Sequence, residues 1–358
     1  MNRRLLMRHS FQLALAALLT LTAPRAGAAT GTLSGPFTHQ NLEIFLVHGA
    51  TQLEERRYAT LNEALAGHDV VVNETGNVNE LSIENPSKTL VFLNAGDIVK
   101  GGRQDRTAKD DLILPPQSGK VALAAFCVEH GRWTGRANDN AAAFSANSYV
   151  LGSRSLRIAS RYEQNQGAVW SSVAEQQVKL NANVSSLAGR AVDTRSAASA
   201  SSLQLTLENK DLQSVKRPYV DKLKPIIEGK TDVIGFVFVI NGQINSAEVY
   251  NNKTLFRALW PKLLDAAVTE AITDFQPGSA SDPLNVAAAD VKAFFQTAVA
   301  GSAEERVVSK STRVKTYTTP TTILFETIDV DAGNVWLHKS FIAKPTETTS
   351  VPLDSTGR

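Results

Sequence analysis

Asn241-Gly242 constrains the fold more tightly than any other dipeptide in the chain, because it separates two β-prone runs, Val233–Ile240 and Gln243–Tyr250, by only two residues. Such a turn needs left-handed backbone angles, which Asn and Gly adopt at least cost, so the two runs are predicted to pair as an antiparallel hairpin. Directly after it, Leu255, Phe256, Leu259, Leu263 and Leu264 recur at helical spacing. Their apolar face must be buried against a sheet, and Pro261 must either kink the helix or lie near its true start. A hairpin with a covering helix is therefore expected over 231–300.

The earlier chain has a different rhythm. Between Asn41 and Val128, short apolar runs follow one another with turn residues between them: Leu42–Val47, Val70–Val72, Leu81–Ile83, Leu90–Leu93, Leu112–Leu114 and Val121–Val128. One helix interrupts them, Thr60–Gly67, where Thr60 caps, Glu63 completes a capping box and Gly67 closes the end. Closely spaced strands with few helices predict antiparallel pairing in place of alternating βαβ units. The fold class that follows is α+β, with an antiparallel β-rich N-terminal part over 41–135 packed with the C-terminal hairpin-helix part.

Between these parts, 150–230 is helical in pattern, through Val169, Trp170, Val173 and Val178 and again through Tyr219, Leu223, Ile226 and Ile227. Pro218 and Pro225 are expected to kink or subdivide the second stretch. The Ala/Ser-rich segment 181–202 fits a helix, a hinge or a flexible connection equally, and the Asn/Ala/Ser-rich segment 137–148 reads as a surface loop or lid. An extension over 29–40, a helix around Val286–Val299, a β hairpin over 301–343 and a disordered tail over 344–358 complete the organisation. Trp170, Trp260 and Trp336 lie in apolar patterns and are expected in the core.

Residues 1–28 have the three parts of a secretory signal: Arg3, Arg4 and Arg8, an apolar run from Phe11 to Leu21, and Ala26-Gly27-Ala28 for cleavage before Ala29. The leucine-rich centre fits the general secretion route better than twin-arginine export. The expected location is secreted or periplasmic, with no membrane span after signal cleavage. Removing these residues takes away Arg3, Arg4, Arg8 and Arg25 and no acid, which turns the formal charge of +2 slightly negative. No basic stripe remains, so nucleic acid is excluded as a partner. The single cysteine, Cys127, sits in an apolar run and reads as a buried thiol that cannot form an internal disulfide.

Specific chemistry concentrates in two segments, Gly101-Gly102-Arg103-Gln104-Asp105-Arg106 and Cys127-Val128-Glu129-His130-Gly131-Arg132-Trp133. Read as strand, turn and strand about Gln117-Ser118, the intervening chain makes Arg106 face Glu129 and Arg103 face Arg132. Arg103, Arg106 and Arg132 would then clasp a phosphate or carboxylate, Gly101 and Gly102 would let the backbone approach it, Gln104 and Asp105 would complete the contacts, and Trp133 would either stack on a base or sugar or pack against the hairpin's end. The competing reading is an internal ion-pair network, Arg106 with Glu129 and Arg132 with Asp105, that fixes the hairpin. Glu129 is the candidate general base for a hydrolase, although pairing with arginine weakens a carboxylate as a base. The glycines do not match a dinucleotide fingerprint or a phosphate loop, so no cofactor is expected. His39, His48, His68, His130 and His338 form no two-histidine motif, and no metal site is expected.

Taken in order, the motifs resemble those of the ADP-ribosylglycohydrolase and rhodanese-phosphatase superfamily-associated protein domain family. The resemblance runs from about Asn41 to Val299. It is carried by Asn41–Phe45, the Thr60–Leu65 helix, Leu81–Asn85, Gly101-Gly102-x-Gln104-x-Arg106, Cys127-Val128-Glu129-x-Gly131-Arg132-Trp133, Gly167–Trp170, Asn241-Gly242 and the helix with Phe256 and Trp260–Leu264. It implies involvement with NAD-derived or ADP-ribosylated molecules. Where the family commonly has lysine and asparagine, this chain has Arg103 and Asp105, and the added carboxylate would alter the preferred ligand charge. Three functions follow as expectations: binding of a small anionic ligand at the arginine-rich hairpin, hydrolysis of a phosphorylated or ADP-ribose-like substrate with Glu129 as base, and a structural or interaction module of the envelope.

Overall fold

The computed structural model describes residues 31–131, 144–150, 153–277 and 286–345. The chain opens with strands β1 (Thr32–His39), β2 (Leu42–His48) and β3 (Tyr58–Thr60), then helix α1 (Leu61–Ala66). A run of short strands follows: β4 (Val71–Glu74), β5 (Glu80–Glu84), β6 (Leu90–Leu93), β7 (Asp97–Gly101), β8 (Arg106–Ala108), β9 (Leu112–Leu114), β10 (Lys120–Cys127) and β11 (Phe144–Val150). The helical stretch holds α2 (Arg154–Arg157), a π-turn over Ile158–Tyr162, α3 (Gln166–Ala188), α4 (Leu203–Leu207) and α5 (Lys210–Leu223), with a 3-10 turn over Lys224–Ile227. Then come β12 (Val233–Ile240), β13 (Gln243–Tyr250), α6 (Lys253–Thr273), α7 (Ala288–Val299), β14 (Ser302–Val307), β15 (Thr312–Thr318), β16 (Thr322–Asp329) and β17 (Val335–Ala343).

These strands build three sheets, ordered β1-β2-β12-β13-β17-β16-β15-β14, β11-β7-β8-β10-β5-β4, and β3-β6-β9. All pairs are antiparallel except β3 with β6. The Asn241-Gly242 hairpin forms as its sequence predicts: Ile240 pairs Gln243, and Asn241 and Gly242 have φ of 50° and 73°. Strand β12 is buried at every position because both faces of the large sheet are covered. On one face Leu42, Ile44, Leu46, Phe236 and Phe238 pack under α3, α5 and α6; on the other Phe45, Val47, Val237 and Phe341 pack under α7 through Val291, Phe294 and Phe295. Glu43 alternates onto this second face and is fully buried there.

The α+β class with its antiparallel sheets is as expected, and Thr60 and Glu63 make the reciprocal capping box. Pro225 subdivides the second helical stretch, while Pro218 and Pro261 are accommodated inside α5 and α6. The segment 181–202 resolves into the end of α3, stopped by Gly189 in the left-handed region, and an irregular passage to Ser202, which caps α4. The segments at the two ends contribute more strands than their sequences announce. Residues 32–39 form β1, and 301–343 holds a four-stranded antiparallel meander in place of one hairpin. Of 137–148, residues 137–143 lie outside the described residues and 144–148 belong to β11. Trp260 is in the core, whereas Trp170 and Trp336 are half-buried.

Candidate functional site

Gly101–Asp105 is the turn between β7 and β8, and its two glycines take φ of 124° and 55°, which a side chain would oppose. The register differs from the sequence expectation. Strand β9 leaves to pair with β6, so β10 pairs β8 with Cys127 opposite Arg106, and Glu129 falls beyond the end of the ladder. The reason is the departure of 109–119 into another sheet, which a two-strand reading of the turn cannot anticipate.

The polar groups of this turn face inward. Asp105 accepts from the Gly101 amide at 3.1 Å and from the Ser202 hydroxyl at 3.1 Å, while its carbonyl accepts from the Val128 amide. Gln104 donates to the Glu129 carbonyl at 3.1 Å, Arg106 donates to the Gln104 carbonyl at 3.2 Å, and Glu74 lies 3.9 Å from Arg106 and accepts from the Arg103 amide at 2.9 Å. On the other side Gln166 exchanges two hydrogen bonds with the Cys127 backbone, and Leu203 and Ser201 bond the carbonyls of Val128 and His130. Gln104, Asp105, Arg106 and Glu129 are all buried, Arg103 is exposed, and Arg132 and Trp133 lie outside the described residues. Arg103, Asp105, Arg106 and Glu129 each have a partner. Cys127 is a fully buried free thiol, and burial pushes its pKa up. The described part of the motif thus fastens the six-stranded sheet to α3 and α4.

A second polar constellation lies between the large sheet and the α2–π segment. His338 sits between two carboxylates, with Nδ1 2.8 Å from Asp111 and Nε2 2.8 Å from Glu248, and its ring stacks on Tyr250 at 4.2 Å. Burial disfavours the imidazolium, but the two carboxylates outweigh it and push its pKa up to about 9. Asp111 shows the converse: burial would raise its pKa, yet Arg161, 3.1 Å away, and His338 hold it well below the usual carboxylate range. Arg157 joins Glu248 and Glu270, each at 3.3 Å, and bonds Asn245 and Ser246. Burial raises the pKa of Glu270 despite Arg157. With His338 protonated, three anions and three cations cancel inside a low-dielectric core.

Sequence reasoning passed over this network. Ser246, Glu248 and Tyr250 alternate along β13, and His338 and Ser340 alternate along β17, a pattern that reads as a solvent face. Arg154 and Arg157 stand out as cations of unknown partner. The π-turn places Arg157 and Arg161 together over that polar stripe, and Arg161 also caps the Phe325 ring at 4.2 Å.

Arg154 is different. Its amide bonds Glu270, but its guanidinium makes no hydrogen bond or ion pair among the described residues. It lines three adjoining clefts of about 1210, 570 and 200 Å3 at one end of the large sheet, where the β12–β13 turn and the ends of β16 and β17 meet. Three carboxylates sharing the smaller clefts are bonded elsewhere: Glu175 and Asp274 to Lys179, and Glu270 to Arg157. Neither these three clefts nor those lined by Arg306 and by Lys262 include residues of 101–106 or 127–131.

One family model matches residues 31–342, that of the ARG and Rhodanese-Phosphatase-superfamily-associated Protein domain. Comparison with curated proteins and with solved structures returns no match.

Proposed function

Since the chain belongs to the ARG and Rhodanese-Phosphatase-superfamily-associated Protein domain family, we propose that it is a ligand-binding domain for a small anionic molecule, with Arg154 as the anion seat. The family's name, which points to ADP-ribosylglycohydrolase and rhodanese-phosphatase associations, is compatible with a phosphorylated or ADP-ribose-related ligand. The observation that carries the reading is an Arg154 guanidinium without a partner among the described residues at the junction of three clefts. A fork of donors so placed suits a phosphate or carboxylate, and a charge-assisted contact contributes about 1.5–3 kcal/mol.

The Gly101–Arg106 and Cys127–Gly131 segments have a second, compatible role as a latch, favoured by the burial of Gln104, Asp105, Arg106 and Glu129. Under this reading Glu129 supports the fold and is not a general base. Residues 1–28 direct export, and mass spectrometry of the protein from its host is expected to find Ala29 at the N-terminus.

The test is a thermal-shift and calorimetric screen with phosphate, pyrophosphate, ADP-ribose and citrate. Arg154→Ala should remove a saturable response while keeping the wild-type melting temperature within a few degrees. Arg106→Ala should instead lower that temperature. A response unchanged in Arg154→Ala, or no response to any anion, would overturn the proposal.

A further inference from the structure

We infer that the anion bound at Arg154 carries an aromatic or otherwise apolar body, which lies in the largest of the three clefts; this rests on the binding reading above. The three clefts differ in chemistry. The two smaller ones are lined by Lys179, Asn183, Thr273 and Asp274. The largest, about 1210 Å3, runs between α2 on one face of the sheet and α7 on the other and is lined by Ile158, Tyr162, Ile244, Val286 and Phe294. Arg154 stands where these environments meet.

Size and lining together select the ligand. Sites for organic molecules usually span about 300–1,000 Å3 and combine apolar walls with a few convergent polar groups. An inorganic oxyanion on Arg154 would leave the walls of Ile158, Ile244 and Phe294 in contact with water, whereas an apolar body displaces that water. Tyr162 supplies an exposed ring at the rim, with the Lys344 ammonium 5.4 Å from its centroid and also lining the cleft. Arg154 and Lys344 both line this cleft beside its apolar residues, and of its two carboxylates, Glu163 and Asp290, the second accepts from the Ala287 amide.

The experiment is titration calorimetry of the full chain with inorganic phosphate and with phenyl phosphate. Phenyl phosphate should bind about tenfold tighter or better. Tyr162→Ala should bring phenyl phosphate toward the affinity of inorganic phosphate and leave inorganic phosphate unchanged, and Arg154→Ala should weaken both in parallel. Equal affinity for the two ligands, or parallel weakening of both by Tyr162→Ala, overturns the apolar-body inference while leaving the anion seat standing. Absence of binding by either overturns both. Circular dichroism of each variant separates loss of the cleft from loss of the fold.

Discussion

Replacing His338 by Phe keeps an aromatic ring against Tyr250 and removes both N–H donors that join Asp111 and Glu248. Two buried carboxylates then lose their shared cation. Breaking a buried ion pair from one side costs about 3–5 kcal/mol, and the two charge-assisted bonds account for a loss of that size. The pH dependence is the sharper test. The folded pKa lies near 9 against 6.5 for the free side chain. Between those values the native protein keeps a proton that the unfolded chain has released, so stability falls as pH rises through the window. At about 1.4 kcal/mol per unit, His338 contributes about 3 kcal/mol that is fully present below pH 6.5 and lost as pH passes 9. Urea unfolding followed by circular dichroism at fixed ionic strength, from about pH 6 to about pH 10, should show the gap between wild type and His338→Phe narrowing by about that amount. A gap that stays constant across the range, or wild-type stability that rises through it, would show that His338 is neutral in the native state and that the charge count of the network is wrong.

Glu43 has neither carboxylate oxygen hydrogen-bonded, and burial pushes its pKa up to about 7. Ionising it in the native state opposes folding, so stability should decline from pH 4.5 to 7, and Glu43→Gln should be the more stable protein at pH 8 but not at pH 4. Ser202→Ala removes both the bond to Asp105 and the cap on the Leu205 amide, for an expected loss of about 1–3 kcal/mol in denaturant titrations; no loss would argue against the latch. Gly102→Ala places a methyl group against the Phe144 ring and the Glu74 carboxylate in a left-handed backbone, and should cost more than about 2 kcal/mol, with wild-type stability counting against the turn geometry.

What could be read from the sequence is what is encoded locally. The Asn241-Gly242 turn, the Thr60–Glu63 capping box and the strand at Leu90–Leu93 depend on neighbours within a few residues, and each forms as read. Partners distant in the chain were not legible. Nothing near Leu112–Leu114 announces that it pairs with β6, and that departure moves Glu129 out of register with Arg106. The candidate residues of the Gly101–Arg106 turn were found because they cluster in sequence. The Asp111–His338–Glu248 set stayed hidden because its members come from three separate segments and because alternating polar residues on a strand normally face water. Arg154 was visible as a cation, but the clefts around it arise from turns of β12–β13, β15–β16 and the end of β17 that only the folded sheet brings together.

The place of β1 and β2 in the large sheet sets an order of events during folding. β1 is the edge strand, and the other neighbour of β2 is β12, which is made only after the six-stranded sheet and helices α3 to α5. Until β12 emerges, one edge of β2 has its amides and carbonyls open to any other strand, with Phe45 and Val47 uncovered on the face that α7 later shields. Closing contacts of such long sequence separation makes assembly slow and leaves time for misassociation. Proteolytic loss of β12–β17 would leave β1 and β2 stranded even though no bond near them is cut.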